Sequence, residues 1–338
     1  MMAFLYFHLL LSIVALLSLP VQGEGDENRI RKLGFDSQRV RNLEGEGTHS
    51  ANMPVIVTVI DSTTNLEELC YTFQSLIHIQ GFLDAPVLAF HGLHLSDEQL
   101  DFLQSCTVRP TTFVDITFFY SVFPEGFVPT PGVNYDMRQS EHFFITDLWQ
   151  LPHMEAHDVI MRITDTTCFT MDNYDLPDFP SGTLPPGLTR NNLMYQSQRV
   201  PGFHVQAPRF YRKLFDSVFG FISSNNISPK NPELWSEAVI SNENYGSLPM
   251  VNNAFEIIRK EFMLRSDVQA YHNFITDVHS DEFFNMYWEA EAIRFLSISI
   301  FGGDKETYLA PVPGYLEKDF LKGKHYSGVC RGDPVSVE

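Results

Sequence analysis

The apolar positions of the chain change texture twice. From Ala3 to Leu19 they run almost without interruption and are closed by Pro20; over residues 24–52 charged residues and glycines show no apolar period; from Met53 onward short β-branched runs alternate with stretches of helical spacing. The first texture, with the small Gly23 offering a cleavage point, predicts export to a secretory lumen. Its length lies near the lower limit for a spanning helix, so cleavage (a signal peptide, residues 1–23) and retention (a signal anchor) both stay open. No Lys or Arg precedes the run, whereas Arg29, Arg31 and Lys32 follow it, which favours cleavage over a type II anchor. The second texture predicts a flexible stem over 24–52, and the third a folded unit over 53–338.

Within that unit, Pro54 to Ile60 is a β-branched run of the kind buried on both faces of a parallel sheet, and it ends at Asp61 and Ser62. Asn65 caps a helix whose Leu66, Leu69, Cys70, Phe73 and Leu76 share one face. A second strand follows at Pro86 to Phe90. Ser96 and Gln99 form a capping box for the next helix, and Thr112 to Tyr120 reads as a third strand. A helix over Arg138 to Leu148 leads to a strand at Val159 to Ile163, which runs into the polar Thr164, Asp165, Thr166 and Thr167. Residues 176–190, rich in Pro and Gly, read as an ordered loop. Helices are expected over Arg209 to Ser223 and Asp267 to Val278, and one more from a Ser280 cap through Trp288 to Phe295. No internal repeat is read. The repeated strand-helix order predicts an α/β fold with a mixed, mostly parallel sheet flanked by helices, binding its ligand outside the carboxyl ends of the strands.

Composition narrows the partners. The 338 residues carry a formal charge of -19, a field that repels phosphate backbones and argues against nucleic acid. Cys70, Cys106, Cys168 and Cys330 are widely spaced, unlike a zinc site, and in an oxidising lumen they allow one or two disulfides in any of three pairings. Asn226-Ile227-Ser228 is a glycosylation sequon followed by Pro229. The chain contains no GxGxxG, Walker or GxSxG motif, which disfavours P-loop and α/β-hydrolase enzymes.

Three stretches carry a resemblance to a known family. Met161 to Phe169 resembles a strand ending in Arg, an aliphatic residue and an acid before a metal site. Asn252 to Ile257 is similar to an Asn-Phe-Glu-Ile signature. Phe284 to Trp288, followed by Ala292 to Leu296, resembles the start of a helix bearing Trp-Gly-Asp-Ala-Pro. In this order they resemble the fungal α-1,2-mannosyltransferases, over roughly Met53 to Phe320. The resemblance implies a GT-A-like nucleotide-diphospho-sugar transferase fold, GDP-mannose as donor, Mn2+ as metal, and transfer with retention to a hydroxyl of a glycoprotein or glycolipid glycan in the Golgi.

The chemistry explains why such residues are wanted. A nucleoside diphosphate gains negative charge as the sugar bond breaks, so a cation held by carboxylates at a strand end neutralises it. Asp165 is the expected metal ligand, with Asp172 and Asp175 near it in sequence. Asp61, Arg162, Tyr195 and Arg294 are expected at the donor, Asn253 and Trp288 at the acceptor. Glu256, an acid within an apolar stretch, is the expected catalytic carboxylate. Two departures from the family pattern stand out: threonines surround Asp165, and Ala290 replaces the motif Asp, with Glu289 and Glu291 beside it. They motivate a second expectation, a glycosyltransferase-like lumenal protein that binds glycan or nucleotide sugar, or partners an active enzyme, without turnover. A retaining glycosidase is disfavoured because no second acid pairs with Glu256 by spacing.

Overall fold

A computed structural model describes residues 53–79, 85–169, 195–197, 208–252, 254–285, 288–304, 306–309 and 315–317. Its strands are β1 (Met53–Ile60), β2 (Val87–His91), β3 (Thr111–Asp115), β4 (His157–Ile163), β5 (Thr167–Phe169), β6 (Tyr195–Ser197), β7 (Phe255–Arg259), β8 (Thr307–Leu309) and β9 (Tyr315–Glu317). Seven of them form one sheet in the order β3-β2-β1-β4-β7-β6-β8, and β5 pairs with β9 apart from it. β1, β2, β3 and β4 are mutually parallel; β7 runs antiparallel to β4 and β6. The mixed, mostly parallel sheet expected from the sequence is therefore the architecture.

Alternation along the strands sends side chains to two cores. Val55, Val57, Leu88, Phe90, Ile160 and Ile258 enter one, and Ile56, Ile60, Val87, Ala89, Met161 and Ile257 the other. The second core is covered by α1 (Leu66–Ser75) and α2 (Asp97–Ser105). Both start as their caps predict: Asn65 accepts from the amides of Glu67 and Glu68, and Ser96 and Gln99 close a capping box. A Cys70–Cys106 disulfide joins α1 to the end of α2, and Cys168 is also disulfide-bonded.

On the other face lie α3 (Asp136–His142), α4 (Pro208–Ser224), α5 (Pro232–Tyr245), α6 (Ser266–Asn273), α7 (Ser280–Asn285) and α8 (Ala290–Phe301). Two expectations are corrected here. The strand expected over Thr112 to Tyr120 stops at Asp115, whose carboxylate accepts from the amide and hydroxyl of Thr117 and starts a helical turn, Thr117–Tyr120. The single helix expected from Ser280 to Phe295 is two, because Glu289 is extended at ψ 137° and the Trp288 carbonyl accepts from Arg138 rather than from a helical amide. α5, unread in the sequence, carries its own signals: Asn231 accepts from the Leu234 amide, Pro232 opens the helix, and Gly246 ends it at φ 59°. Residues 176–190 lie outside the described residues.

An internal repeat is present after all. His142-Phe143-Phe144-Ile145-Thr146-Asp147 and His272-Asn273-Phe274-Ile275-Thr276-Asp277 share His-x-Phe-Ile-Thr-Asp. Each copy turns from α-helix into a single π turn, Phe143–Asp147 after α3 and Phe274–Val278 after α6. The cause is the same in both. The Thr hydroxyl donates to the His carbonyl four residues back, at 2.7 Å in the first copy and 3.0 Å in the second, which loosens the helical ladder.

Candidate active site at the switch of the sheet

From β1 the chain crosses to β2 on one side of the sheet, and β4 later pairs with β1 on the other. The carboxyl ends of β1 and β4 are thus a switch point, where connections part and leave room for a ligand. Asp61 follows β1 and residues 164–167 follow β4. The Asp61 carboxylate is nearly buried and fully engaged: Oδ1 accepts from the amide and hydroxyl of Thr63 at 2.8 and 2.6 Å, and Oδ2 from the Ser140 hydroxyl at 2.6 Å. With the Ser140 hydrogen committed, the Tyr120 hydroxyl donates to the Ser140 oxygen. Burial raises the Tyr120 phenol above its ordinary value; the bond to Ser140 opposes this and the Asp61 charge adds to it. Gly92, after β2, permits the arrangement, since a Cβ there would lie 2.0 Å from the Tyr120 ring.

Arg162 and Glu256 meet one strand over. The β4–β7 register sets them directly opposite each other, on the face of Ile160 and Ile258. Arg162 Nη1 reaches Glu256 Oε1 at 3.4 Å, and Arg294 Nε, from α8, stands 3.7 Å from Oε2. Both guanidiniums lie over the Phe144 ring, at 4.0 and 4.9 Å from its centroid. Glu256 has no exposed surface and Oε2 accepts no hydrogen bond among the described residues. The expected catalytic carboxylate is thus enclosed in this structure. Glu256 is an interior counter-charge for two arginines.

A second set of acids lies where α8 begins. Arg138 Nη1 holds Glu141 at 2.5 Å and the Trp288 carbonyl at 3.1 Å, and the Tyr211 hydroxyl donates to Glu289 at 2.6 Å. Burial, with the charge of Glu141 and then of Glu289, pushes the Glu291 carboxyl up to about 8, against a backbone hydrogen bond and the Arg162 charge. Burial also raises Glu141, against the pull of Arg138 and Arg162. At neutral pH Glu291 is therefore largely protonated, a state in which a carboxyl can donate to a ligand oxygen. Sequence reasoning saw Glu289 and Glu291 only as departures from a motif. Their pairing with Glu141 and Tyr211 depends on contacts 78 residues or more apart in the chain.

The remaining expected residues fall as follows. Asp165 is half-buried, and its Oδ2 accepts from the Asn65 amide at 2.7 Å, tying the end of β4 to the start of α1. No three His, Cys, Asp or Glu side chains gather to hold a metal ion among the described residues. Trp288 is wholly buried and packs beside His279, so the expectation that it stacks on an acceptor sugar is corrected: it is core. Arg294, expected at the diphosphate, is 1% exposed and turned to Glu256, because it sits on the buried face of α8. Tyr195 lies in β6 opposite Ile258; Asn253, Asp172 and Asp175 lie outside the described residues.

The repeat supplies a cluster that sequence reasoning missed. His142 Nδ1 stands 3.4 Å from Asp147 of its own copy and Nε2 3.4 Å from Asp277 of the other, while the ring stacks on Phe284. Burial alone would lower this imidazole, but hydrogen bonds to Asp147 and Asp277 and their charges raise it to about 9. His272 has the opposite fate: burial, helped by the Arg294 charge, drives it well below its ordinary value, so it is neutral. A self-comparison of the sequence at an offset of 130 residues reveals the pair.

No protein-family model matches the sequence, and no curated protein matches it. Among solved structures, core-mannan synthase A (CmsA/Ktr4) from Aspergillus fumigatus in its Mn/GDP form is similar, with a TM-score of 0.64 at 14% identity over 81% of this chain and 76% of that one. The mannosyltransferase Ktr4p from S. cerevisiae in complex with GDP is similar at a TM-score of 0.63 and 15% identity, over 81% of this chain and 73% of that one. The chain has the GT-A-like fold of these two proteins, and the resemblance read in the sequence is matched by likeness of fold.

Proposed function

We propose that the chain is a glycosyltransferase that moves mannose from GDP-mannose, with retention, to a hydroxyl of a glycoprotein or glycolipid glycan in the secretory pathway. The observation that carries this reading is the placement of Asp61 and residues 164–167 at the β1–β4 switch point, within the fold shared by two mannosyltransferases whose structures hold GDP. In this reading Asp61 shapes the loop that receives the nucleotide, and Glu256 and Phe144 set the Arg162 guanidinium at the end of β4, where diphosphate charge develops. Tyr195 and Arg294 complete the donor side, Arg294 as a positioning residue through Glu256. Glu291, protonated at neutral pH, and Glu141 are the groups able to give or hold a proton there. Asn253 is assigned to the acceptor side.

Mn2+ extends to this chain by the same likeness, with Asp165 as ligand. The described residues alone do not compose its donor set, because Asp165 accepts from the Asn65 amide and no three His, Cys, Asp or Glu side chains gather among them. The address rests on the apolar segment from Ala3 to Leu19, as a cleaved signal or an anchor, followed by the stem and a catalytic unit over 53–338, with the Golgi lumen as destination. No helix among the described residues is long and apolar enough to cross a membrane.

One observation favours a second reading, binding without turnover: the family-signature carboxylate, Glu256, is enclosed. Calorimetry of GDP-mannose with and without Mn2+, followed by transfer assays onto mannosides, separates the two. Metal-enhanced binding with transfer supports the enzyme. Binding without transfer onto any mannoside supports the second reading, and no nucleotide-sugar binding at all overturns both.

A further inference from the structure

We propose that Asn226 is an N-glycosylation acceptor of this chain. Asn226-Ile227-Ser228 is its only Asn-x-Ser/Thr triplet. The inference rests on the lumenal address proposed above, and the structure adds three observations of its own.

First, the sequon is at the surface, in the turn that leaves α4. Asn226 and Ser228 are both exposed. The chain turns there because Asn226 takes φ 52°, a left-handed conformation that Asn tolerates, and the Ile227 amide returns to the Ile222 carbonyl at 2.9 Å. Second, the reacting groups are uncommitted. Asn225 spends its carboxamide on the Phe221 carbonyl at 2.8 Å, whereas neither the Asn226 carboxamide nor the Ser228 hydroxyl has a partner among the described residues. Third, the position leaves the candidate site clear. The amides of Lys230 and Asn231 donate to the carbonyls of Ile300 and Ser299, which fastens this loop to the far end of α8. The site acids stand at the first turn of that helix, so at ~1.5 Å per residue Glu291 and Ile300 are about 13 Å apart along the axis.

In the transfer, Asn226 Nδ2 attacks C1 of the first sugar of a polyprenyl-pyrophosphate-linked oligosaccharide. The C1–Nδ2 bond forms and the bond from C1 to the pyrophosphate oxygen breaks. The polyprenyl pyrophosphate leaves with that electron pair, and the amide proton passes to a base of the transferring enzyme. Pro229 keeps Ser228 extended and slows use of the triplet, so partial occupancy is expected.

The full chain, expressed in a eukaryotic secretory host, tests this by gel migration before and after peptide-N-glycosidase treatment. The oxidation state of Cys70 and Cys106 is read by alkylation of the same sample. A single slower band that collapses on treatment is expected, lost in both Asn226→Gln and Ser228→Ala and strengthened in Pro229→Ala, with GDP-mannose binding unchanged in Ser228→Ala. One band in all variants with Cys70 and Cys106 oxidised overturns the glycosylation and leaves the lumenal address standing. One band with both thiols free overturns the address and the glycosylation together.

Discussion

His142 offers the most quantitative test of the packing behind the site. Its imidazole is buried, flanked by Asp147 and Asp277 and covered by Phe283 and Phe284; Thr146 is the other polar group against it. The folded pKa is about 9 against an ordinary 6.5, so the folded state holds a proton that the unfolded chain releases first. The stabilisation is complete below pH 6.5 and lost as pH rises through 9, because over that window the native state binds more protons. At 1.36 kcal/mol per pKa unit the difference is on the order of 3 kcal/mol. The nitrogen-oxygen separations are long, and the two aspartates keep 22% and 30% exposure, which places the expectation at roughly 2–3 kcal/mol. Urea unfolding of the wild type and of His142→Gln between pH 6 and 10 measures it. The difference between the two proteins should shrink steadily toward pH 10. A flat difference, or one that grows with pH, refutes the charge assignment. The loss bears on the site, because α3 carries Arg138, Ser140 and Glu141 in the turn before His142.

Other perturbations address single contacts. Glu256→Gln leaves two buried guanidiniums with a neutral partner and should cost ~3–5 kcal/mol in chemical unfolding, with weaker GDP-mannose binding by calorimetry. Wild-type stability and affinity in this variant would remove its positioning role. Gly92→Ala drives a methyl into the Tyr120 ring and should destabilise by about 1–3 kcal/mol, more than Tyr120→Phe, which loses only the hydroxyl. Equal effects would show that the close approach is unimportant. The Cys70–Cys106 bond closes a loop with a sequence separation of 36, so Cys70→Ser with Cys106→Ser should lose roughly 3–4 kcal/mol in thermal or urea unfolding; an unchanged midpoint contradicts this.

What could be read from the sequence was what neighbouring residues decide. β1 announces itself because Val55, Ile56, Val57 and Ile60 are buried on both faces, and α1 and α2 because Asn65, Ser96 and Gln99 bond to amides two or three residues away. The end of β3 was misjudged although its cause is equally local: Asp115 caps Thr117, and the apolar Phe118, Phe119 and Tyr120 masked that stop signal. The π turns needed a comparison of the chain with itself, since a Thr within a helical pattern does not announce which carbonyl it takes.

The site obeys a different logic. Motif resemblance speaks to the position of a residue along a strand, and Arg162 and Glu256 both lie in strands and pair across β4 and β7. It does not transfer access. Whether a carboxylate meets solvent or a counter-charge depends on what a third element brings, and here α8 brings Arg294 while the π turn brings Phe144. These elements enclose Glu256, whereas Glu291, in the first turn of α8, keeps some exposure and its carboxyl is raised by burial and by the Glu141 charge. On the proposed reading, the group able to hold a proton stands at the start of the last helix, in the residue that follows the Ala290 at which the chain departs from the family pattern. Loss of transfer in Glu291→Gln with GDP-mannose binding retained would bear this out; full activity in that variant would return the chemistry to Glu256.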